Sequence, residues 1–202
     1  MKDTKQRILA ASLELFAEDG YEAVSVSRIA ERLGITKGAL YKHFRNKRDI
    51  FDSILVQMRQ RDAEGAAEYD LPEDSSGKMP EKYGSVRVRA LVEYSKAQFR
   101  YWTEDDFARC FRRMLTLEQF RSPEMSWVYG QYLVSGPLNY VADIFSGLGL
   151  PDPEALAAEL YAPMFFYFSM YDGAEDKRAV ISAVDEYLEG FLRRICRGGQ
   201  NS

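Results

Sequence analysis

Apolar residues recur along this chain at three- and four-residue intervals and nowhere alternate with polar ones over the length of a strand, which predicts an all-α fold. The first stripe, Ile8, Leu9, Ala11, Leu15 and Phe16, predicts a helix ended by Gly20, with Asp3 and Gln6 as a capping pair near its start. Val26, Ile29, Ala30 and Leu33 stand at i, i+3, i+4 and i+7, which predicts a short helix from about Ser25 to Leu33. Ser25 can accept from the orphan amides at its start, and Gly34 can take the left-handed conformation at its end. Ile35 leads into Thr36, a natural N-cap for a third helix through about His43, with Leu40 and Phe44 on one side. Asn46 and Asp49 then open a fourth, whose Ile50, Phe51, Ile54, Leu55 and Met58 keep one stripe.

Residues 62 to 85 interrupt the pattern with Gly65, Pro72, Gly77, Pro80 and Gly84, and predict a loop or connector. Periodicity resumes with Val88, Leu91, Val92, Ser95, Phe99 and Trp102, and again with Phe107, Cys110, Phe111, Met114 and Leu115 after an acidic start at 104–106. Ser122-Pro123-Glu124 signals a helix that Gly136-Pro137 should kink or interrupt, and Asp152-Pro153-Glu154 repeats the signal ahead of a nearly all-apolar helix closed by Asp172-Gly173. The last helix carries Val180, Val184, Tyr187, Leu188, Phe191 and Ile195, with Arg193, Arg194 and Arg197 at the end where cations suit the helix dipole.

Charge sharpens this picture. The net of −4 conceals a division: residues 1–52 hold ten Lys/Arg against eight Asp/Glu, and the remainder 17 against 23. Between Arg28 and Arg48 stand seven cations opposed by Glu31 alone, a footprint suited to a phosphate backbone. We therefore divide the chain into a domain over 1–52 and a larger helical domain over 53–202.

The inventory of reactive side chains speaks against catalysis, carboxylate-only chemistry being the one form it leaves open, with no isolated Asp/Glu pair standing out. His43 is its one histidine and lies in the basic helix; no Ser-His-Asp, Walker, dinucleotide or metal-ligand spacing occurs, so neither an enzyme, a metal nor a cofactor is expected. Cys110 and Cys196 are too few and too far apart for a disulfide framework and are expected to be reduced. No apolar run approaches the ~20 residues a bilayer requires, and no apolar leader opens the chain, so a cytoplasmic protein without a membrane partner is expected.

Helix, Gly-containing turn and second helix bearing hydroxyl and basic groups is the layout of a helix-turn-helix, whose second helix enters the major groove. Residues 8 to about 58 go further. Leu15-Phe16-Ala17-Glu18-Asp19-Gly20-Tyr21, and the run from Val24 through Arg28-Ile29-Ala30, Leu33-Gly34-Ile35-Thr36-Lys37-Gly38-Ala39-Leu40-Tyr41 to Lys42-His43-Phe44-Arg45-Asn46-Lys47, resemble the TetR-type DNA-binding domain. The resemblance implies a homodimer with small N-terminal domains on DNA, and a C-terminal domain that binds an inducer and dimerises through its last two helices. It implies that Ser25 and Arg28 meet the backbone from the second helix, that Thr36, Lys37, Gly38, Ala39 and Lys42 read sequence, and that Tyr41, His43 and Lys47 contact phosphate. Core packing is the alternative for Tyr41, and a partly buried surface position for His43.

In the C-terminal half the aromatic side chains exceed what one core requires, and a ligand pocket drawing on Phe99, Trp102, Phe107, Met114, Trp127 and Phe165 is expected, opened by Pro137 or Pro163. Core packing is the alternative for each. The acidic balance of this half favours a cationic or neutral ligand. Phe168, Val184, Leu188, Phe191 and Ile195 offer more apolar surface than one packing face requires, and are assigned to a two-fold four-helix interface. The function that follows is a sequence-specific dimeric repressor, released from a palindromic double-stranded operator by a small-molecule inducer. A ligand-independent architectural or regulatory DNA-binding protein is the alternative.

Overall fold

The computed structural model describes residues 2–71 and 88–198. All regular structure among them is helical: α1 (Lys2–Asp19), α2 (Val26–Arg32), α3 (Lys37–Tyr41), α4 (Lys47–Ala67), α5 (Val88–Glu104), α6 (Asp106–Glu118), α7 (Pro123–Leu133), α8 (Ser135–Gly147), α9 (Pro153–Gly173) and α10 (Lys177–Gly198). None of these helices is long and apolar enough to cross a membrane. The chain divides into two compact units, one formed by Met1–Arg61 with Asp105–Tyr129, the other by Asp62–Glu104 with Gly130–Ser202. The unit that carries the basic helices thus extends past residue 52 and takes in α6 and the start of α7.

In the first unit α1 packs on α6 and α2, and α2 on α3. Ile8, Leu13, Leu15 and Phe16 of α1 are buried, as are Phe111, Met114 and Leu115 of α6 and Ile50, Phe51, Ile54 and Met58 of α4. Each such side chain contributes about 1.5–3 kcal/mol by leaving water. Gly20 ends α1 at φ +86°, a conformation that suits a residue without Cβ.

In the second unit α9 packs on α8, α10 and α5, and α10 on α5. Phe99 stacks on Phe168 with ring centroids 5.3 Å apart, and Phe145 on Phe191 at 5.9 Å. Lys96 and Arg100 of α5 pair with Glu189 and Asp185 of α10 beside this apolar seam.

Several local expectations are corrected. Asp3 falls inside α1 rather than ahead of it. The third helix stops at Tyr41 and closes in a turn at Lys42 and His43. The loop expected from residue 62 begins later, because α4 continues through Gly65 to Ala67 and Ala66 and Leu71 are buried there; one glycine costs a helix only about 1 kcal/mol, which such burial offsets. Pro72, Gly77, Pro80 and Gly84 lie outside the described residues. The break expected at Gly136-Pro137 falls at Val134 (φ −133°, ψ −88°), with Pro137 in the first turn of α8, where its missing N–H costs nothing. A Cβ on Gly136 would lie 1.8 Å from the Gln131 carbonyl oxygen, so only glycine fits this junction. Asp152 adopts a left-handed conformation and makes no side-chain cap, leaving Pro153 to start α9; Pro163 sits within α9 without ending it.

Candidate nucleic-acid interface

The turn between α2 and α3 is built by its caps. Ser25 Oγ accepts the Arg28 amide at 3.2 Å to start α2. Gly34 at φ +64° reverses the chain, and the Ile35 amide reaches the Ala30 carbonyl at 3.0 Å. Thr36 Oγ1 then accepts the Ala39 amide at 3.1 Å to start α3. Each hydroxyl accepts one bond and retains its own O–H as a donor, which suits a phosphate oxygen.

Burial fixes the outward side of α3. Leu40 and Phe44 are buried, and so are Ile29 and Ala30 of α2, so the short helix is pinned from within. Thr36, Lys37, Gly38 and Lys42 are exposed, Ala39 is half-buried, and nothing closer than 3.9 Å meets a Cβ placed on Gly38. Tyr41 is 48% exposed, which removes core packing as an account of it. His43 is half-buried beside the turn.

The electrostatic footprint is narrower than the charge sum. Of the seven cations from Arg28 to Arg48, five are ion-paired: Arg28 with Asp19 at 2.7 Å, Arg32 with Glu18 at 3.1 Å, Arg45 with Asp49 at 3.5 Å, Lys47 with Glu22 at 3.8 Å and Arg48 with Asp52 at 2.7 Å. Lys37 and Lys42 have no ion-pair partner among the described residues, and both stand on the exposed side of α3. The Arg45 amide donates to Asp49 at 2.9 Å and the Asp49 amide to Asn46 Oδ1 at 2.8 Å, a reciprocal cap that starts α4; the first of these bonds holds the Asp49 carboxyl below its ordinary range.

Lys47 is placed differently from the other cations. Its ammonium donates to the Tyr21 carbonyl at 2.7 Å and the Glu22 carbonyl at 3.3 Å and lies 4.2 Å from the centroid of the Tyr21 ring. It ties the α1–α2 turn to the start of α4, and thereby positions both ends of the helix-turn-helix. Two carboxylates absent from the sequence-derived site reinforce the frame. Glu118 accepts from the Tyr21 amide, and Glu124 holds Arg48 through two hydrogen bonds, which keep the Glu124 carboxyl low and the guanidinium pKa high. Neither has a local sequence signal, since each acts across more than 70 residues.

The residues expected in a ligand pocket are divided between the two units. Phe107, Met114 and Trp127 belong to the first: Met114 is wholly buried, Phe107 lies under the Arg61 guanidinium at 4.7 Å, and Trp127 is exposed. Phe99, Trp102 and Phe165 belong to the second, the first two buried and Phe165 exposed. Of the residues assigned to a subunit interface, Phe168, Val184, Leu188 and Phe191 are buried within the chain itself, and Ile195 is half-buried. The large apolar side chains that α9 turns outward are Phe165, Phe166 and Met170.

A fold that is helical throughout its described residues, with a helix-turn-helix whose outer face carries two lysines free of ion pairs among those residues, is of the helical DNA-binding class. Residues 8–54 match the family model described as bacterial regulatory proteins, tetR family. The chain is 35% identical over 96 residues to the HTH-type transcriptional repressor AcnR of Corynebacterium glutamicum, covering 46% of this chain and 50% of that protein. It spans about half, or less, of the length of the curated relatives it matches. In fold it is similar to a transcriptional regulator from Aquifex aeolicus (TM-score 0.66, 20% identity, covering 95% of this chain and 99% of that one) and to SmeT in complex with triclosan (TM-score 0.65, 19% identity, covering 93% and 91%). The likeness to the tetR family is carried by residues 8–54, and over the rest of the chain it is a likeness of fold.

Proposed function

We propose that this protein is a dimeric, sequence-specific transcriptional repressor that leaves a palindromic operator when a small molecule occupies its second unit. The observation that carries the reading is the outer face of α3, where Lys37 and Lys42, without an ion pair among the described residues, stand beside Thr36, Gly38 and Tyr41 while Leu40 and Phe44 anchor the opposite side. Lys42 is suited to donate to guanine O6 and N7, Ala39 to touch a thymine methyl, and Thr36, Tyr41 and Ser25 to meet phosphate oxygens. Arg28 joins them by exchanging Asp19 for phosphate, and His43 adds a contact from the closing turn.

Two copies are required because one five-residue helix covers too few base pairs for specificity; a two-fold pair spaced about 34–36 Å reads successive major grooves. Outward-facing Phe165, Phe166 and Met170 on α9, beside α10, supply the apolar surface for the pairing. The AcnR relative is named a repressor, which favours repression over activation, and SmeT is solved with triclosan, which favours a small-molecule effector over a ligand-independent protein. On this reading the effector acts in the cytoplasm and binds in the second unit, where Phe99, Trp102 and Phe165 lie. The inducer binds more tightly to the form whose recognition helices are wrongly spaced, with a coupling of about 1–3 kcal/mol.

The test is selection of bound fragments from a random duplex pool. A symmetric consensus with two half-sites is expected. Recovery of no preferred sequence at modest ionic strength would overturn the reading.

A further inference from the structure

Asp62 is a half-buried carboxyl that neither an ion pair nor a hydrogen bond engages among the described residues. Its surroundings are specific. On α4, Asp62 and Gly65 share one face at i and i+3, with Tyr69 in the turn that follows the helix, and on α5 Tyr94, Gln98 and Tyr101 share another face at i, i+4 and i+7. The two faces meet: a Cβ on Gly65 would lie 3.5 Å from Gln98 Nε2, and the Tyr69 and Tyr94 rings are 5.7 Å apart in an edge-to-face contact. Tyr140 of α8 adds a third ring 6.4 Å from Tyr94. Gln98 hydrogen-bonds the Tyr94 hydroxyl, whose ionisation is opposed by burial and by the nearby negative charge of Asp62. All of these residues lie in the second unit.

A carboxylate placed among aromatic rings with no cation of its own is costly to the protein alone. The arrangement becomes favourable when a cation supplies the missing charge and sets its apolar surface against the ring faces, since carboxylate and π-systems attract the same sign. Resting on the reading that the second unit takes the effector, we propose that the ligand is an organic monocation, an ammonium or phosphonium with apolar substituents, whose charge sits against Asp62 between Tyr69, Tyr94 and Tyr140. None of the neighbouring titratable side chains, Tyr69, Tyr94, Tyr101 and Tyr140, brings a positive charge, and burial opposes ionisation of Tyr94, so the charge preference of the cluster is set by Asp62. Burial pushes its carboxyl up to about 7, so a cation must draw the proton off Asp62 below that pH and does so freely above it.

Isothermal titration of the full chain with tetraphenylphosphonium, tetraphenylborate and benzyltrimethylammonium tests this. The expected result is saturable binding of at least one of the two cations, none of the borate, and an affinity about tenfold higher at pH 8 than at pH 6, the ratio of ionised carboxyl for a group titrating near 7. Asp62→Asn should lose about tenfold at pH 8 together with the pH dependence, and Asp62→Glu should retain cation selectivity. Binding of the borate as tight as that of the phosphonium, an Asp62→Asn variant of unchanged affinity, or no saturable binding of either cation would overturn the proposal. Selection on random duplexes, run on the parent chain, keeps the two readings apart: a consensus there without cation selectivity sinks only the ligand class, whereas no consensus sinks the DNA-binding function.

Discussion

The Glu118 carboxylate accepts the backbone N–H of Tyr21 at 3.0 Å, joining the end of α6 to the turn between α1 and α2 across 97 residues. Glu118 is 1% exposed and lies so close to the turn that a Cβ on Gly20 would stand 2.7 Å from its Oε1. Gly20 therefore answers two demands, a φ of +86° and room for a carboxylate oxygen.

Gly20→Ala is expected to destabilise the chain by about 1–3 kcal/mol through strain and crowding together, and Glu118→Ala by a similar amount through the orphaned Tyr21 amide. Combined, the two changes should cost less than their sum, because removing Glu118 also removes the clash. Urea midpoints of the two single variants and the double variant check this, and strict additivity would contradict it.

The elements that carry this contact were readable locally, and the contact was not. Ser25, Gly34 and Thr36 announce α2, its turn and α3 because caps and left-handed glycines act within three or four residues, and Leu40 and Phe44 announce their burial by spacing. Glu118 and Glu124 look like ordinary surface acids because their partners are set by how α6 and α7 pack. The same limit applies to α10: Val184, Leu188 and Phe191 form an apolar seam whichever surface covers it, and in this fold they are buried within the chain itself. Lys47 counts toward the basic footprint in the sequence, with a phosphate contact implied by the resemblance, and in the structure its ammonium is engaged by the Tyr21 and Glu22 carbonyls, since composition records charges and not their partners.

Lys47 and Lys42 should accordingly behave differently. Lys47→Ala removes bonds to the Tyr21 and Glu22 carbonyls and is expected to lower the melting temperature by roughly 2–8 °C, for about 1–2 kcal/mol, while weakening binding to every duplex. Lys42→Ala is expected to leave melting unchanged and to alter base preference, costing about 1–3 kcal/mol at the positions it reads. Thermal scans with binding titrations across duplex variants check both. Equal effects of the two substitutions on melting would show that Lys47 is not a tie.

Phe166 is 63% exposed on α9 and Met170, one turn on, 43% exposed. Phe166→Glu is expected to disperse the proposed dimer, because facing carboxylates across a two-fold axis repel and lose water. Sedimentation velocity at micromolar concentration should show a dimer for the parent and a monomer for the variant, with operator affinity falling alongside. A dimer of unchanged stability in the variant would move the interface away from this face of α9.

Asp62 also links stability to pH, and the sign follows from its direction of shift. An ordinary unfolded-chain aspartate titrates near 3.9, whereas burial pushes Asp62 up to about 7 in the folded protein. The folded state thus holds this proton more tightly, so its contribution to stability is complete below about pH 4 and is lost as pH rises through 7. Asp62→Asn fixes the neutral form. It should be close to neutral in effect at pH 4 and stabilising by about 1–3 kcal/mol at pH 8, so the difference in melting temperature between variant and parent should grow with pH and level off above 7. An organic monocation acts on the same term from the other side: by pairing with the ionised carboxyl it should raise the parent's melting temperature more at pH 8 than at pH 6, and leave Asp62→Asn unmoved at both. A stabilisation by Asp62→Asn that is the same at pH 4 and pH 8 would place its origin in packing rather than in the buried charge.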